Sequence, residues 1–183
     1  MEAFPTRDSL LAIRCGQWQA MKHVFLSLGS NVGDRRTNIG TALEQLRQNG
    51  VEVQRVSSLY RTQPVGYTAQ PWFVNCVAEV ATDLMPLQLL RRSKAIERGM
   101  GRRPGPKNGP RPIDIDILLY ENVVMRSAEL TIPHPRLAER RFVLVPLSEV
   151  APDIEHPLSR LTVRQMLQAT PDTSQVIKLE SDM

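Results

Sequence analysis

Apolar and polar positions along the chain follow two periods, near 3.6 and 2. His23–Leu28, with Val24, Phe25, Leu26 and Leu28, predicts a buried strand. Gly29–Asp34 reads as a turn with helix-capping chemistry, and Ile39, Leu43 and Leu46 then recur at helical spacing. That spacing predicts a helix over about 34–48, stopped by Asn49-Gly50. Val51–Tyr60 predicts a second strand, 61–67 an irregular loop and Trp72–Ala81 a third strand. Pro86 suits the first turn of a second helix, continued by Leu87, Leu90, Ser93/Lys94 and Glu97. Residues 99–110 are rich in Gly and Pro and predict little regular structure. Ile113, Ile115 and Ile117 then alternate with Asp114 and Asp116, the period of a strand, which runs to Tyr120. Phe142–Leu147 is apolar and must pack, and Leu161, Val163, Met166 and Leu167 predict a short amphipathic helix.

The element order is therefore strand, helix, strand, strand, helix, strand, which is the ferredoxin-like βαββαβ order of an α+β fold. It predicts a four-stranded antiparallel sheet with two helices on one face and C-terminal additions. A chain of 183 residues is long enough for one core. The expected organisation is an N-terminal extension over 1–22, poorly ordered, then one domain over 23–169 and a polar, frayed tail over 170–183. There is no run of apolar residues long enough to span a membrane. Cys15 and Cys76 show neither metal-type nor redox-type spacing, which fits a reducing cytoplasm.

Charge changes the picture in one place. Residues 91–111 hold eight Lys or Arg and a single acid, Glu97, a net +7 against +4 for the whole chain. The basicity is thus local and lies directly before the strand that carries Asp114 and Asp116. Those carboxylates stand at i and i+2 on one strand face, roughly 6–7 Å apart. Asp is depleted in strands, and two like charges side by side call for compensation. A hard divalent cation supplies it most simply; a solvated strand face is the alternative. A Gly/Pro-rich loop with Arg102, Arg103, Lys107 and Arg111 beside such a pair suits a metal-bound polyphosphate, the loop closing over it. A solvated basic loop or a nucleic-acid surface would carry similar charge. Glu97 either orients an Arg or forms a surface i,i+4 pair.

The stretch Gly109-Pro110-Arg111-Pro112-Ile113-Asp114-Ile115-Asp116-Ile117-Leu118 resembles the signature of the 6-hydroxymethyl-7,8-dihydropterin pyrophosphokinases. Four more blocks fall in that family's order and spacing: Leu28–Asn31, Ser57–Thr62, Asn75 after an aromatic, and Ile132–Pro135 with Arg140 and Phe142. The resemblance covers about residues 23–168. It implies transfer of the β,γ-pyrophosphate of ATP to the hydroxymethyl group of the reduced pterin, with AMP as the other product, in folate biosynthesis. It implies ATP as co-substrate and two Mg²⁺ ions held by Asp114 and Asp116, with Arg102, Arg103 and Arg111 neutralising the polyphosphate. The implied pterin pocket is Thr62, Pro64, Val65, Phe73, Asn75 and Phe142. The implied ATP contacts are Glu97, Lys107, Arg111, Ile117, Thr131, His134 and Arg140. Arg136, Arg140 and Arg141 read either as a second phosphate clamp or, the default for any one of them, as surface charge. Lys107-Asn108 stands where many relatives carry an aromatic. The expected partners are small molecules only, without nucleic acid or membrane, for a cytoplasmic monomer. An RNA-binding domain of the same fold is the runner-up, and a non-catalytic ligand-binding module the third reading. The RNA-binding domain would place base-stacking aromatics on its central strands, whereas the presumed fourth strand here carries Asp114 and Asp116, which repel phosphate unless a metal intervenes.

Overall fold

A computed structural model describes residues 21–105 and 109–180. The N-terminal extension up to residue 20 and Lys107 lie outside the described residues. The elements in chain order are β1 (Lys22–Ser30), α1 (Arg35–Gln48), β2 (Val51–Val56), β3 (Tyr60–Thr62), β4 (Phe73–Thr82), α2 (Pro86–Gly99) and β5 (Asp114–Tyr120). They continue with β6 (Met125–Arg126), β7 (Thr131–Ile132), α3 (Arg141–Val150), α4 (Val163–Ala169) and β8 (Val176–Lys178). The fold is α+β, and every strand pairing is antiparallel.

The main sheet has six strands where four were expected, in the order β5-β1-β4-β3-β8 with β2 also on β4. Two things account for the difference. The second expected strand is split: β2 pairs with the Ala78–Thr82 end of β4 and β3 with the Phe73–Asn75 end. Between them Ser57 exchanges bonds with Val77 through its side chain, its Oγ accepting the Val77 N–H at 3.0 Å while its own N–H donates to the Val77 carbonyl. A hydroxyl has replaced a ladder carbonyl, so the strand is interrupted. The second difference is β8. Residues 176–178, expected in a frayed tail, pair with β3 at the sheet edge.

The sheet is covered on both faces rather than one. Period-two alternation sends Val24, Leu26 and Leu28 of β1, Val74, Cys76, Ala78 and Val80 of β4, and Ile115 and Ile117 of β5 to the side of α1 and α2. There they meet Ile39, Ala42 and Leu46 of α1 and Leu89 and Ile96 of α2. α1 starts where Asp34 caps the Thr37 N–H at 3.1 Å and ends before Gly50, whose φ of 81° suits glycine. The intervening residues Phe25, Val77 and Leu118 face the other way, onto Val143, Leu144 and Leu147 of α3 and Val163 and Met166 of α4. The apolar run at 142–147 is thus the first half of α3, closing part of the second face. Cys76 is fully buried, and burial pushes its thiol up to about 12, so it packs as an inert small side chain.

Candidate active site

α3 and α4 cover only part of the second sheet face. The uncovered part continues the same rows of side chains: Phe73 and Asn75 on β4, Ser27 and Gly29 on β1, Asp114 and Asp116 on β5. The register fixes their neighbours. Gly29 lies between Asn75 and Asp114, and Ser27 lies between Val77 and Asp116. These residues floor a cavity of about 490 Å³. Its walls are Thr62, Gln63 and Val65 on one side and Lys94, Arg102, Arg103 and Arg111 on another, with His134, Arg136, Arg140 and Phe142 closing the rest.

The apolar end is a pocket between Phe73 and Phe142. Asn75 is 4% exposed, and its Nδ2–H donates to Thr62 Oγ1 at 2.6 Å. That bond fixes the amide and turns its Oδ1 over Gly29, where no side chain intervenes. The Arg111 guanidinium stacks on Phe73 at 5.3 Å and that of Arg140 on Phe142 at 5.4 Å, so each ring carries a cation at its side.

The charged end is built around Asp114. It pairs with Arg111 at 2.7 Å and makes a short contact with Arg102, while Lys94 stands at 4.0 Å. Burial alone would lift the Asp114 carboxyl, but Arg111, Arg102 and Lys94 outweigh it and hold the group below the usual carboxylate range. Asp116 is different. Arg140 approaches it at 3.9 Å, and no described residue donates a hydrogen bond to it. Burial, and then the charge of Asp114, push its carboxyl up. An uncommitted carboxylate on the cavity floor beside a second one is a donor set for a hard cation. Among the described residues no third His, Cys, Asp or Glu completes a metal cluster, so a cation here would fill its shell from water and ligand oxygens. Arg111 adds a second unfilled group: its Nε is buried without a hydrogen-bond partner among the described residues. That donor suits an anion.

Glu97 holds this cluster from beneath. It is 2% exposed on α2, accepts the Ile115 N–H at 2.7 Å, and pairs with Lys94 at 2.8 Å and Arg102 at 2.7 Å. Of the two sequence readings, orienting an Arg is the one the structure supports. Asn31 performs a similar task at the pocket's other side. Its Oδ1 accepts the Arg111 N–H at 2.8 Å and its Nδ2 donates to Gln70 at 2.8 Å and to the Pro71 carbonyl. His134 lines the cavity with its Nδ1 accepting the Arg136 N–H at 3.2 Å. Burial, then Arg140 and Arg136, bring it down to about 4, so its ring is neutral and presents an N–H at Nε2.

The structure therefore brings together Thr62, Val65, Phe73, Asn75, Phe142, Arg102, Arg103, Arg111, Asp114, Asp116, His134, Arg136 and Arg140. Four expected residues do not line the cavity. Pro64 is buried beside it, Glu97 lies beneath the cations, Thr131 pairs with Arg126 in β7, and the Ile117 side chain sits in the helix-side core. A ligand contact at Ile117 would have to come from its backbone. Arg141 of the expected clamp also lies outside the lining. Lys94, Ser27 and Gln70 line the cavity without having been singled out as site residues, and Gly29 lines it as part of the Leu28–Asn31 block. For Lys94 the available signal was its place three residues before Glu97 on the helix.

A paired-carboxylate floor, a cationic wall and an aromatic pocket share one cavity, a chemistry suited to an anion and a hard cation beside a flat ring. The chain belongs to the 7,8-dihydro-6-hydroxymethylpterin-pyrophosphokinase (HPPK) family, whose profile matches residues 25–152. It is 41% identical to the folic acid synthesis protein fol1 of Schizosaccharomyces pombe over 184 residues, 99% of this chain but 25% of that one. It is also 41% identical to the 2-amino-4-hydroxy-6-hydroxymethyldihydropteridine pyrophosphokinase of Aquifex aeolicus, over 79% of this chain and 90% of that protein. The chain spans about a quarter of the length of several eukaryotic relatives it matches, 25% in the pea bifunctional protein. In fold it is similar to a crystal structure of Plasmodium falciparum HPPK-DHPS with pterin and p-hydroxybenzoate. The TM-score is 0.65 at 19% identity, covering 81% of this chain and 43% of the other.

Proposed function

We propose that this chain transfers the β,γ-pyrophosphate of ATP to the hydroxymethyl oxygen of 6-hydroxymethyl-7,8-dihydropterin and releases AMP. What supports this reading is the row Asn75–Gly29–Asp114 across three adjacent strands, with the Asn75 amide on one side of a single small residue and Asp114 on the other. Asn75, held by Thr62, reads the pterin edge between Phe73 and Phe142, with Pro64 and Val65 bounding that wall. Asp114 and Asp116 hold Mg²⁺, two ions in this reading. When bound, Mg²⁺ screens the phosphates and acidifies the acceptor hydroxyl. Arg102, Arg103, Lys107 and Arg111 take up the remaining polyphosphate charge. Glu97 keeps Arg102 and Lys94 aimed into the cavity. His134 donates its Nε2–H to the nucleotide, and Arg140, Thr131 and the Ile117 backbone complete that side. The acceptor oxygen bonds to the β-phosphorus, the bond from that phosphorus to the α-phosphate oxygen breaks with AMP leaving, and the hydroxyl proton passes to water. The residues contribute mainly by positioning and charge compensation.

In the same reading β1, α1, β2–β3, β4, α2 and β5 form a ferredoxin-like βαββαβ core within the six-stranded sheet. The chain acts as a cytoplasmic monomer on small molecules, without nucleic acid. Among the described residues no helix is long and apolar enough to cross a membrane.

Incubation with ATP, Mg²⁺ and the reduced pterin tests the reaction. Mass spectrometry should find AMP and pterin diphosphate in equal amounts and only with Mg²⁺. ADP with a monophosphorylated pterin, or no pterin product, would refute it. Size-exclusion chromatography with light scattering checks the monomer.

A further inference from the structure

The family profile ends at residue 152, yet the walls of the cavity are joined by residues beyond it. Arg140, the N-cap of α3, makes no side-chain cap bond to its own helix. A partner comes from 31 residues beyond Arg141: Asp172 Oδ2 accepts the Arg141 N–H at 2.8 Å, while its Oδ1 accepts the Ser174 N–H at 2.8 Å. Three residues later the same segment reaches the opposite wall, where the Gln175 carbonyl accepts the Gln63 N–H at 3.1 Å. β8 follows, with Val176 opposite Thr62 and Lys178 opposite Tyr60. The strand is fastened at its end by the Leu179 N–H on the Leu59 carbonyl and by Lys178 on Glu149 at 3.1 Å.

The two grips flank cavity residues. Arg141 sits between Arg140 and Phe142, and Gln63 follows Thr62; all but Arg141 line the cavity. A helix N-terminus without its cap shifts and frays, and the first turn of α3 is the part that carries Phe142. A strand of three residues such as β3 has little of its own to hold it, apart from β4 on one side and β8 on the other.

We propose that residues 172–178 form a strap that fixes the width of the acceptor pocket, with Asp172 as its positioning residue. The strap sets the distance between the Thr62–Gln63 wall and the Phe142 wall, and so the fit of the flat ring between them. This inference rests on the pterin reading of that pocket. Asp172 touches neither reactant and acts through the α3 N-terminus.

The test compares Asp172→Ala and Asp172→Asn with the parent in the full chain. Asp172→Ala should raise the KM for the reduced pterin about 10-fold, the change expected for one lost cap, with kcat within about threefold. Pterin binding measured by fluorescence without ATP should weaken by the same factor. Asp172→Asn keeps one acceptor oxygen and should recover part of the loss. Amide hydrogen exchange in the ligand-free protein should quicken at residues 62–63 as well as at 141–143 in the Ala variant. A parental KM in Asp172→Ala, an Asn variant no better than Ala, or exchange that quickens only at 141–143 would overturn the strap. Collapse of the fold in the Ala variant, seen by circular dichroism, would overturn it too, by making Asp172 a purely structural residue. Absence of product from the parent chain would instead remove the reaction, leaving the exchange pattern to judge whether the two walls are mechanically joined.

Discussion

Gly29 and Asn75 are cross-strand partners, and a β-carbon on Gly29 would collide with Asn75 Oδ1 while standing 3.5 Å from its Cγ. The backbone of β1 here is extended, so space and not dihedral angle demands the glycine. Gly29→Ala would turn the Asn75 amide off its bond with Thr62. The expected result is pterin affinity reduced by about 1–3 kcal/mol, as for Asn75→Ala, with ATP binding unchanged. Calorimetry with each ligand separately checks it, and equal losses for both ligands would contradict the assignment.

The carboxylate pair should divide under mutation. Each of Asp114→Asn and Asp116→Asn should cut turnover by about 10²–10³. Their effects on the metal-free protein should differ, although like-charge repulsion viewed from the sequence suggests that both variants are at least as stable as the parent. Asp116 is disfavoured by burial and by Asp114, so neutralising it leaves stability level or higher. Asp114 is the partner of Arg111 and Arg102, and its side chain is 15% exposed. Its loss should cost about 1–3 kcal/mol. Urea denaturation in the presence of a chelator separates the two.

Glu97→Ala strands the Ile115 N–H and frees Lys94 and Arg102, and should lower stability by about 1–3 kcal/mol. Glu97→Gln retains an acceptor for the amide and should cost less. Both should raise the KM for ATP, because Arg102 loses its second carboxylate. A variant with unchanged KM for ATP would mean that Arg102 is held by Asp114 alone.

Acid should weaken the fold through His134. Its folded value of about 4 lies below the ordinary 6.5, so between those values the unfolded chain binds a proton that the folded one does not. Stability is therefore lost as pH falls through that window. His134→Gln should flatten the decline of the melting temperature between pH 6.5 and 4, while the carboxylates act mainly at its lower end. Parallel declines for the two proteins would show that His134 protonates freely in the folded state.

Much of the frame could be read from side-chain order. Ile113–Ile117 announces both faces of β5, because the period of two sorts Ile and Asp to opposite sides whatever their partners. The spacing of Ile39, Leu43 and Leu46 likewise reports α1. What escaped depends on partners distant in sequence. Asn31 looks like an ordinary turn residue until Arg111 arrives 80 residues later. Ser57 interrupts the strand begun at Val51 only because its hydroxyl meets Val77. β8 is three residues on an edge, too short for a period to register. The second face was missed for a related reason: Phe142–Leu147 is apolar on nearly every side and contains Pro146, which obscures a helical stripe.

The border between core and site crosses three strands almost as a line, from Val77 through Ser27 to Asp116, with Phe25 and Leu118 on the apolar side. Side chains on this face are separated by the sheet itself from the larger core under α1 and α2. The depth of the cavity can therefore drift over generations, one row at a time, without renegotiating that core. A larger or smaller residue at Ser27 changes the volume offered to a ligand, while Leu26 and Leu28 beside it, both fully buried on the opposite side, are left untouched.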